Sequence, residues 1–95
     1  MDIKKFRIFL NAVNTQDFAE TGRDMFISRS AVLQQITKLE QDLGVRLFDR
    51  TTHNIRPTEA GKDLIPLANR LVQTEDKIIQ VMHNHSNTLT IGTIY

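Results

Sequence analysis

The chain contains no cysteine, which excludes disulfide bonds and any thiolate metal site. Histidine is scarce as well. His83 and His85 stand two apart, a spacing that points them to different sides of a helix, and His53 is remote from both in sequence. No metal site is therefore expected. No apolar run approaches the roughly 20 residues needed to span a bilayer, and Met1-Asp2-Ile3-Lys4-Lys5 lacks the pattern of a signal peptide, so the chain reads as cytoplasmic with no membrane partner. Clustered acid, base and nucleophile are missing too. Asp17, Glu20 and Asp24 share one short segment, but no histidine or nucleophile accompanies them, so neither an enzyme nor a cofactor is expected. Charge of one sign does not dominate either: 12 Lys and Arg against 11 Asp and Glu leave a net charge of +1. The total does not announce a polyanion partner, but the distribution is more telling. Arg46, Arg50 and Arg56 cluster near the middle, close to Lys38, and local clusters set the field a polyanion meets. The 95 residues suffice for one domain with a modest core.

What is present is organised around the stretch from Ser28 to Gly44. At about 100° per residue, Val32, Ile36, Leu39 and Leu43 fall in one narrow arc, and Ser30, Gln34, Thr37, Lys38 and Gln41 fall opposite. Ser28 is a good N-cap because its hydroxyl accepts from an orphan backbone N–H, and Gly44 suits a left-handed C-cap. The outer face holds amides, hydroxyls and an amine, the groups a helix uses to read base edges in a major groove. Taken alone, the pattern also fits an ordinary amphipathic surface helix.

Upstream, Ile3, Phe6, Leu10 and Val13 recur at three and four, with Phe9 beside them, which predicts an amphipathic first helix capped by Asp2. Asn14-Thr15-Gln16-Asp17 breaks the pattern, and Asp17 is placed to cap a short helix from Phe18 to about Met25. Gly22 lies inside it, where glycine costs about 1 kcal/mol against alanine, so a close crossing is expected there. Phe26-Ile27 reads as a tight connection. Two short helices so joined, the second amphipathic, make a helix-turn-helix; the apolar residues before the turn are expected to close the core with those of the third helix.

Downstream of Gly44, Val45, Leu47 and Phe48 precede Asp49–Pro57, where two short extended pieces flank Thr52-His53-Asn54. Asn tolerates turn conformations, so a small β-hairpin wing carrying Arg50 and Arg56 is expected. Beside a recognition helix, those arginines would meet phosphates; otherwise the segment is a solvated surface loop. Thr58 then caps a longer helix with Glu59 in its favourable first turn. Leu64, Leu67, Leu71, Ile78 and Met82 form one stripe, interrupted by Thr74 and Glu75. Pro66 cannot donate to the Lys62 carbonyl, which predicts a kink or a broken turn. The helix is expected to reach about His85, too long for a small core to cover. Such a stripe usually pairs with another chain, the alternative being that it packs across its own domain. Ser86-Asn87 reads as a break, and Leu89–Tyr95 as a strand with no partner of its own.

These residues together carry a resemblance. The run Phe18–Leu43, the block Leu43-Gly44-Val45-Arg46-Leu47-Phe48-Asp49-Arg50 and the block Arg56-Pro57-Thr58-Glu59-Ala60-Gly61 resemble, at matching spacing, the N-terminal DNA-binding domain of LysR-type transcriptional regulators. The resemblance implies a mainly α winged helix-turn-helix, a three-helix core plus a small β-hairpin wing, followed by a long linker helix. It implies residues 1–58 as the DNA-binding domain, 59–86 as the linker and dimerisation helix, and 87–95 as the start of a C-terminal domain that binds a small-molecule effector. It also implies a bacterial regulator that binds an inverted repeat in double-stranded DNA as a homodimer. The family usually carries two alanines where Thr21 and Gly22 stand, glutamine, proline and serine where Arg29, Ser30 and Leu33 stand, and arginine or glycine where His53 and Asn54 stand. Target preference is therefore not carried over. The DNA-binding set expected here is Ser28, Arg29, Ser30, Leu33, Gln34, Thr37, Lys38, Arg50, His53 and Arg56. Arg29, Ser30, Leu33 and Gln34 are expected at base edges, Leu33 against a thymine methyl, and Thr37 and Lys38 at phosphate. Leu64, Leu67, Leu71, Ile78 and Met82 are expected at the dimer seam. A winged-helix module that binds only protein is the main rival; it predicts an acidic or apolar outer face on the third helix.

Overall fold

The structure is a computed structural model that describes residues 2–50 and 54–89. Four helices and one two-stranded hairpin follow in order: α1 (Ile3–Thr15), α2 (Phe18–Met25), α3 (Arg29–Leu43), β1 (Phe48–Asp49), β2 (Arg56–Pro57) and α4 (Glu59–Leu89). Each of the first three helices starts at the cap its sequence suggests. Asp2 accepts from the Lys4 N–H at 3.0 Å, Asp17 from Ala19 at 2.8 Å and Ser28 from Ala31 at 3.1 Å. The ends are also local. Gly44 closes α3 at φ 72°, and its N–H donates to the Glu40 carbonyl at 2.8 Å. Gln16 closes α1 in the same left-handed region at φ 58°.

The first helix is buried further round than its apolar stripe suggests. Ile8, Phe9 and Ala12 are fully buried, while Leu10 and Val13 are only partly so. The reason is position: α1 packs against α2, α3 and α4, so two faces meet core. Val32, Ile36 and Leu39 of α3 complete that core as expected. Leu43, expected with them, is exposed in the last turn, past the point where α3 meets the other helices. Phe48 enters from the wing, 5.4 Å from the Phe9 ring and 5.6 Å from the Phe18 ring, the latter edge-on at 87°.

The turn between α2 and α3 leaves one large apolar residue outside. Met25 and Ile27 pack against the core, but Phe26 is exposed to solvent. Gly22 does serve a close approach, to the turn and to the start of α3, whose Arg29 N would stand 3.3 Å from a Cβ there. A Cβ there would stand 2.7 Å from the Ile27 carbonyl oxygen, so the glycine lets the turn fold back on α2. Thr21, buried, shares a 2.8 Å hydrogen bond with the Thr15 hydroxyl and ties the end of α1 to the middle of α2.

The wing is short. Phe48 pairs with Pro57 and Asp49 with Arg56, antiparallel. Its base is fastened by the Thr58 N–H to the Leu47 carbonyl at 2.9 Å and by the Ile55 N–H to the Gln16 carbonyl at 3.3 Å. Thr58 also donates its hydroxyl to the Arg46 carbonyl at 2.6 Å and accepts from the Gly61 N–H at 3.1 Å, capping α4.

The 31-residue α4 is continuous through Pro66; no broken turn appears there, because one lost donor leaves the surrounding i to i−4 bonds to hold the helix. It also continues past Ser86-Asn87 to Leu89, so the expected break at that pair is corrected: neither residue supplies a stop strong enough to end a long helix. The strand expected over Leu89–Tyr95 is corrected at Leu89, which is helical, and otherwise lies outside the described residues. Leu64, Ile65, Ala68 and Val72 of α4 pack onto the core. Arg7 of α1 then clamps the helix, donating from Nη2 to Glu75 at 2.6 Å and to Asp76 at 2.8 Å. Hydrogen bonds to Glu75 and Asp76 raise the pKa of that guanidinium. Beyond Asp76 the described side chains of α4 are exposed. Among the described residues no helix is long and apolar enough to cross a membrane.

Candidate nucleic-acid interface

The outward face of α3 presents Arg29, Ser30, Gln34, Thr37, Lys38 and Gln41, all exposed. Of the two acids on α3, Asp42 is exposed at the C-terminal edge of this face, beside Gln41, and Glu40 points inward, 7% exposed. Arg29 and Lys38 make no ion pair among the described residues. Ser28 is engaged in capping, and its hydroxyl is also 3.1 Å from that of Ser30. Leu33, expected among the reading residues, is partly buried against the core, which limits how much of it the outer face presents. The face is polar and basic, unlike the acidic or apolar one that a protein-binding module predicts.

Downstream, the arginines of the wing divide into two kinds. Arg56, on β2, is exposed and makes no ion pair among the described residues. Arg50 is engaged. Its Nη2 donates to Glu40 Oε1 at 3.0 Å and its guanidinium stacks 5.5 Å from the centre of the Phe18 ring. With its side chain 29% exposed, Arg50 holds the wing more than it faces outward. His53 lies outside the described residues.

Glu40 belongs to neither the apolar arc nor the outward face of α3, yet it sets the geometry between α3 and the wing. Its Oε2 accepts from the Leu47 N–H at 2.7 Å and from the Phe48 N–H at 3.4 Å. Arg46 Nε stands 3.7 Å away and Arg50 pairs with the other oxygen. A buried carboxylate is tolerated only when its lone pairs are satisfied and its charge is matched, and here backbone amides and an arginine do both. The signal available in the sequence was an acid at the edge of the apolar arc, four after Ile36, with arginines six and ten residues on.

Of the seam residues expected on α4, the structure separates one from the rest. Leu64 turns into the chain's own core. Leu67, Leu71, Ile78 and Met82 remain exposed, at 59%, 38%, 57% and 58%. Ile79 and Val81 are exposed beside them. Among the described residues no group of three or more histidines and acids is placed to hold a metal ion.

Comparison with known proteins agrees with this geometry. Residues 3–62 match the family model of the bacterial regulatory helix-turn-helix protein, lysR family. An uncharacterized HTH-type transcriptional regulator of Azotobacter vinelandii, from the ibpB-leuC intergenic region, is 35% identical over 97 residues, covering 98% of this chain and 67% of its own length. The HTH-type transcriptional regulator HdfR of Escherichia coli is 39% identical over 74 residues, covering 78% of this chain. The chain spans only 26% of the length of HdfR. Among solved structures, the BenM DNA-binding domain in complex with catB site 1 DNA superposes with a TM-score of 0.88 at 23% identity, covering 93% of this chain and 95% of that one. The LysR family regulator VV2_1132 gives 0.88 at 29% identity, covering 90% of this chain and 30% of that one. The CbnR DNA-binding domain in its DNA complex gives 0.85 at 22% identity, covering 90% and 99%. The fold is that of these winged helix-turn-helix domains, and the chain belongs to the lysR family of bacterial regulatory helix-turn-helix proteins.

Proposed function

We propose that this chain is the DNA-binding and dimerisation portion of a cytoplasmic LysR-type transcriptional regulator. The observation that carries the reading is the exposed, polar face of α3, whose first three turns hold no acid, with Arg29 and Lys38 unpaired among the described residues. The BenM and CbnR domains of the same fold were solved as DNA complexes, which supports the same partner here. In this reading α3 enters the major groove. Arg29 and Gln34 meet base edges, Ser30 and the exposed part of Leu33 assist them, and Thr37 and Lys38 meet phosphate. Arg56 brings the wing to the backbone. Arg50, taken up by Glu40, positions that wing. Residues 1–58 bind, 59–86 dimerise, and 87–95 lead into an effector-binding domain; a dimer of such units recognises an inverted repeat.

The test is binding to a generic duplex at low salt, followed through a salt titration by fluorescence anisotropy. Each phosphate neutralised adds about 0.9 to the slope of log affinity against log salt, so a clearly negative slope is expected. A flat response, or no binding at low salt, contradicts the reading.

A further inference from the structure

Phe26 breaks two rules at once, and it does so next to the reading face. Its side chain is 93% exposed, although it is one of only five phenylalanines in a chain with a small core. Its backbone is left-handed at φ 61°, a region where a bulky side chain is strained and where glycine or asparagine is the ordinary occupant. Gly44 supplies the comparison, closing α3 at φ 72° with no side chain to strain. Nothing in the packing explains the ring, since Met25 and Ile27 on either side fill the core without it.

The turn that carries the ring is firmly held. The Phe26 N–H donates to the Arg23 carbonyl at 3.4 Å and the Ile27 N–H to the Gly22 carbonyl at 2.9 Å. A Cβ at Gly22 would collide with the Ile27 carbonyl, so the turn sits tight on α2 and presents Phe26 in a defined place. Ser28, which caps α3, follows two residues later, and two residues span at most about 7 Å. The Phe26 Cα therefore lies within about 7 Å of the Ser28 Cα, next to the start of the surface formed by Ser28, Arg29 and Ser30. Strain and exposed apolar area concentrated at one position beside a binding face mark a functional residue.

We infer that the Phe26 ring is a further DNA contact, packing on apolar surface of the duplex at the flank of the α3 site. This rests on the DNA-binding reading above. The apolar groups available there are deoxyribose carbons and thymine methyls. Because the ring is uncharged, its contribution is independent of counterion release.

The experiment uses the chain with a duplex that it selects from a random pool, and compares Phe26→Asn, Phe26→Leu and, as reference, Arg29→Ala. Asparagine suits the left-handed backbone, so Phe26→Asn is expected to melt at or above the wild-type temperature. It is expected to bind about tenfold more weakly, the loss of one good base-edge contact, with an unchanged salt slope. Phe26→Leu, which keeps apolar surface, is expected to recover part of the loss. If uracil for thymine at the flanking positions reproduces the loss with the wild-type chain, the methyl is the partner; if it does not, the sugar is. Wild-type affinity in Phe26→Asn alongside weakened binding in Arg29→Ala overturns this inference and leaves the DNA reading intact. A lower melting temperature in Phe26→Asn overturns it too, because the ring is then structural. Failure of the wild-type chain to bind any duplex at low salt removes the DNA reading and this inference with it.

Discussion

Glu40→Ala should be among the most damaging single substitutions in this chain, although the residue is buried and lies off the outward face of α3. The carboxylate is 7% exposed and carries the Leu47 and Phe48 amides and the Arg50 guanidinium. Removing one partner of a buried ion pair typically costs about 3–5 kcal/mol. Arg50 is 29% exposed and Arg46 is 65% exposed, so water screens part of what is left behind, and the lower end, about 3 kcal/mol, is expected. For a domain this small that lowers the melting temperature by roughly 12–24 °C. Arg50→Met should cost less, because it removes a charge while Glu40 keeps both backbone donors and the methionine still covers Phe18. Thermal denaturation followed by circular dichroism ranks the two. A Glu40→Ala melt within a few degrees of wild type, or a larger loss in Arg50→Met, would show that the wing is held by something other than this carboxylate.

The second large effect concerns assembly. Leu67, Leu71, Ile78 and Met82 lie within about 60° of arc on α4 at 100° per residue, and all four are exposed. Burying each against a second copy contributes about 1.5–3 kcal/mol, enough for association after its entropic cost. Leu71→Asp places a charge in the middle of that seam and is expected to give monomers in light scattering. Its fold should survive, since Leu71 is no part of the core. The monomer holds one half-site at a time, so binding to an inverted repeat should weaken by about 10²–10⁴-fold as the intramolecular second contact is lost. A Leu71→Asp variant that stays dimeric moves the seam elsewhere, with Ile79 and Val81 as the next exposed positions to substitute.

How much of this was legible in the sequence follows from the kind of force involved. Caps and periodicity are local, and the starts at Asp2, Asp17 and Ser28 and the end at Gly44 came out where the residues put them. The burial of α1 was only half legible, because its stripe records one buried face and tertiary packing added another. Leu64 and Leu67 share a stripe in the sequence, but only tertiary packing decides that the face of α4 carrying Leu64, Ile65, Ala68 and Val72 meets the core and leaves Leu67 outside. Pro66 and Ser86-Asn87 looked like interruptions, yet a long helix docked at one end absorbs a single missing donor and weak helix formers. The wing arginines looked alike. Only the position of Glu40 behind the hairpin separates Arg50, which is held, from Arg56, which is exposed. The exposure of Phe26 was not legible for the same reason: no local signal announces that a ring in the connection will be left outside.

The proposed division of labour is that α3 reads bases while the wing meets the backbone. It is tested most directly by binding Gln34→Ala, Arg29→Ala and Arg56→Ala to a panel of operators that differ by single base pairs. A side chain bidentate on a base separates right from wrong pairs by roughly 1–3 kcal/mol, whereas a phosphate contact carries no such preference. Gln34→Ala and Arg29→Ala should each flatten the preference at one position per half-site, and Arg56→Ala should weaken all operators alike. A changed pattern in Arg56→Ala with uniform weakening in Gln34→Ala would reverse this assignment, because the reading would then lie in the wing and not in the third helix.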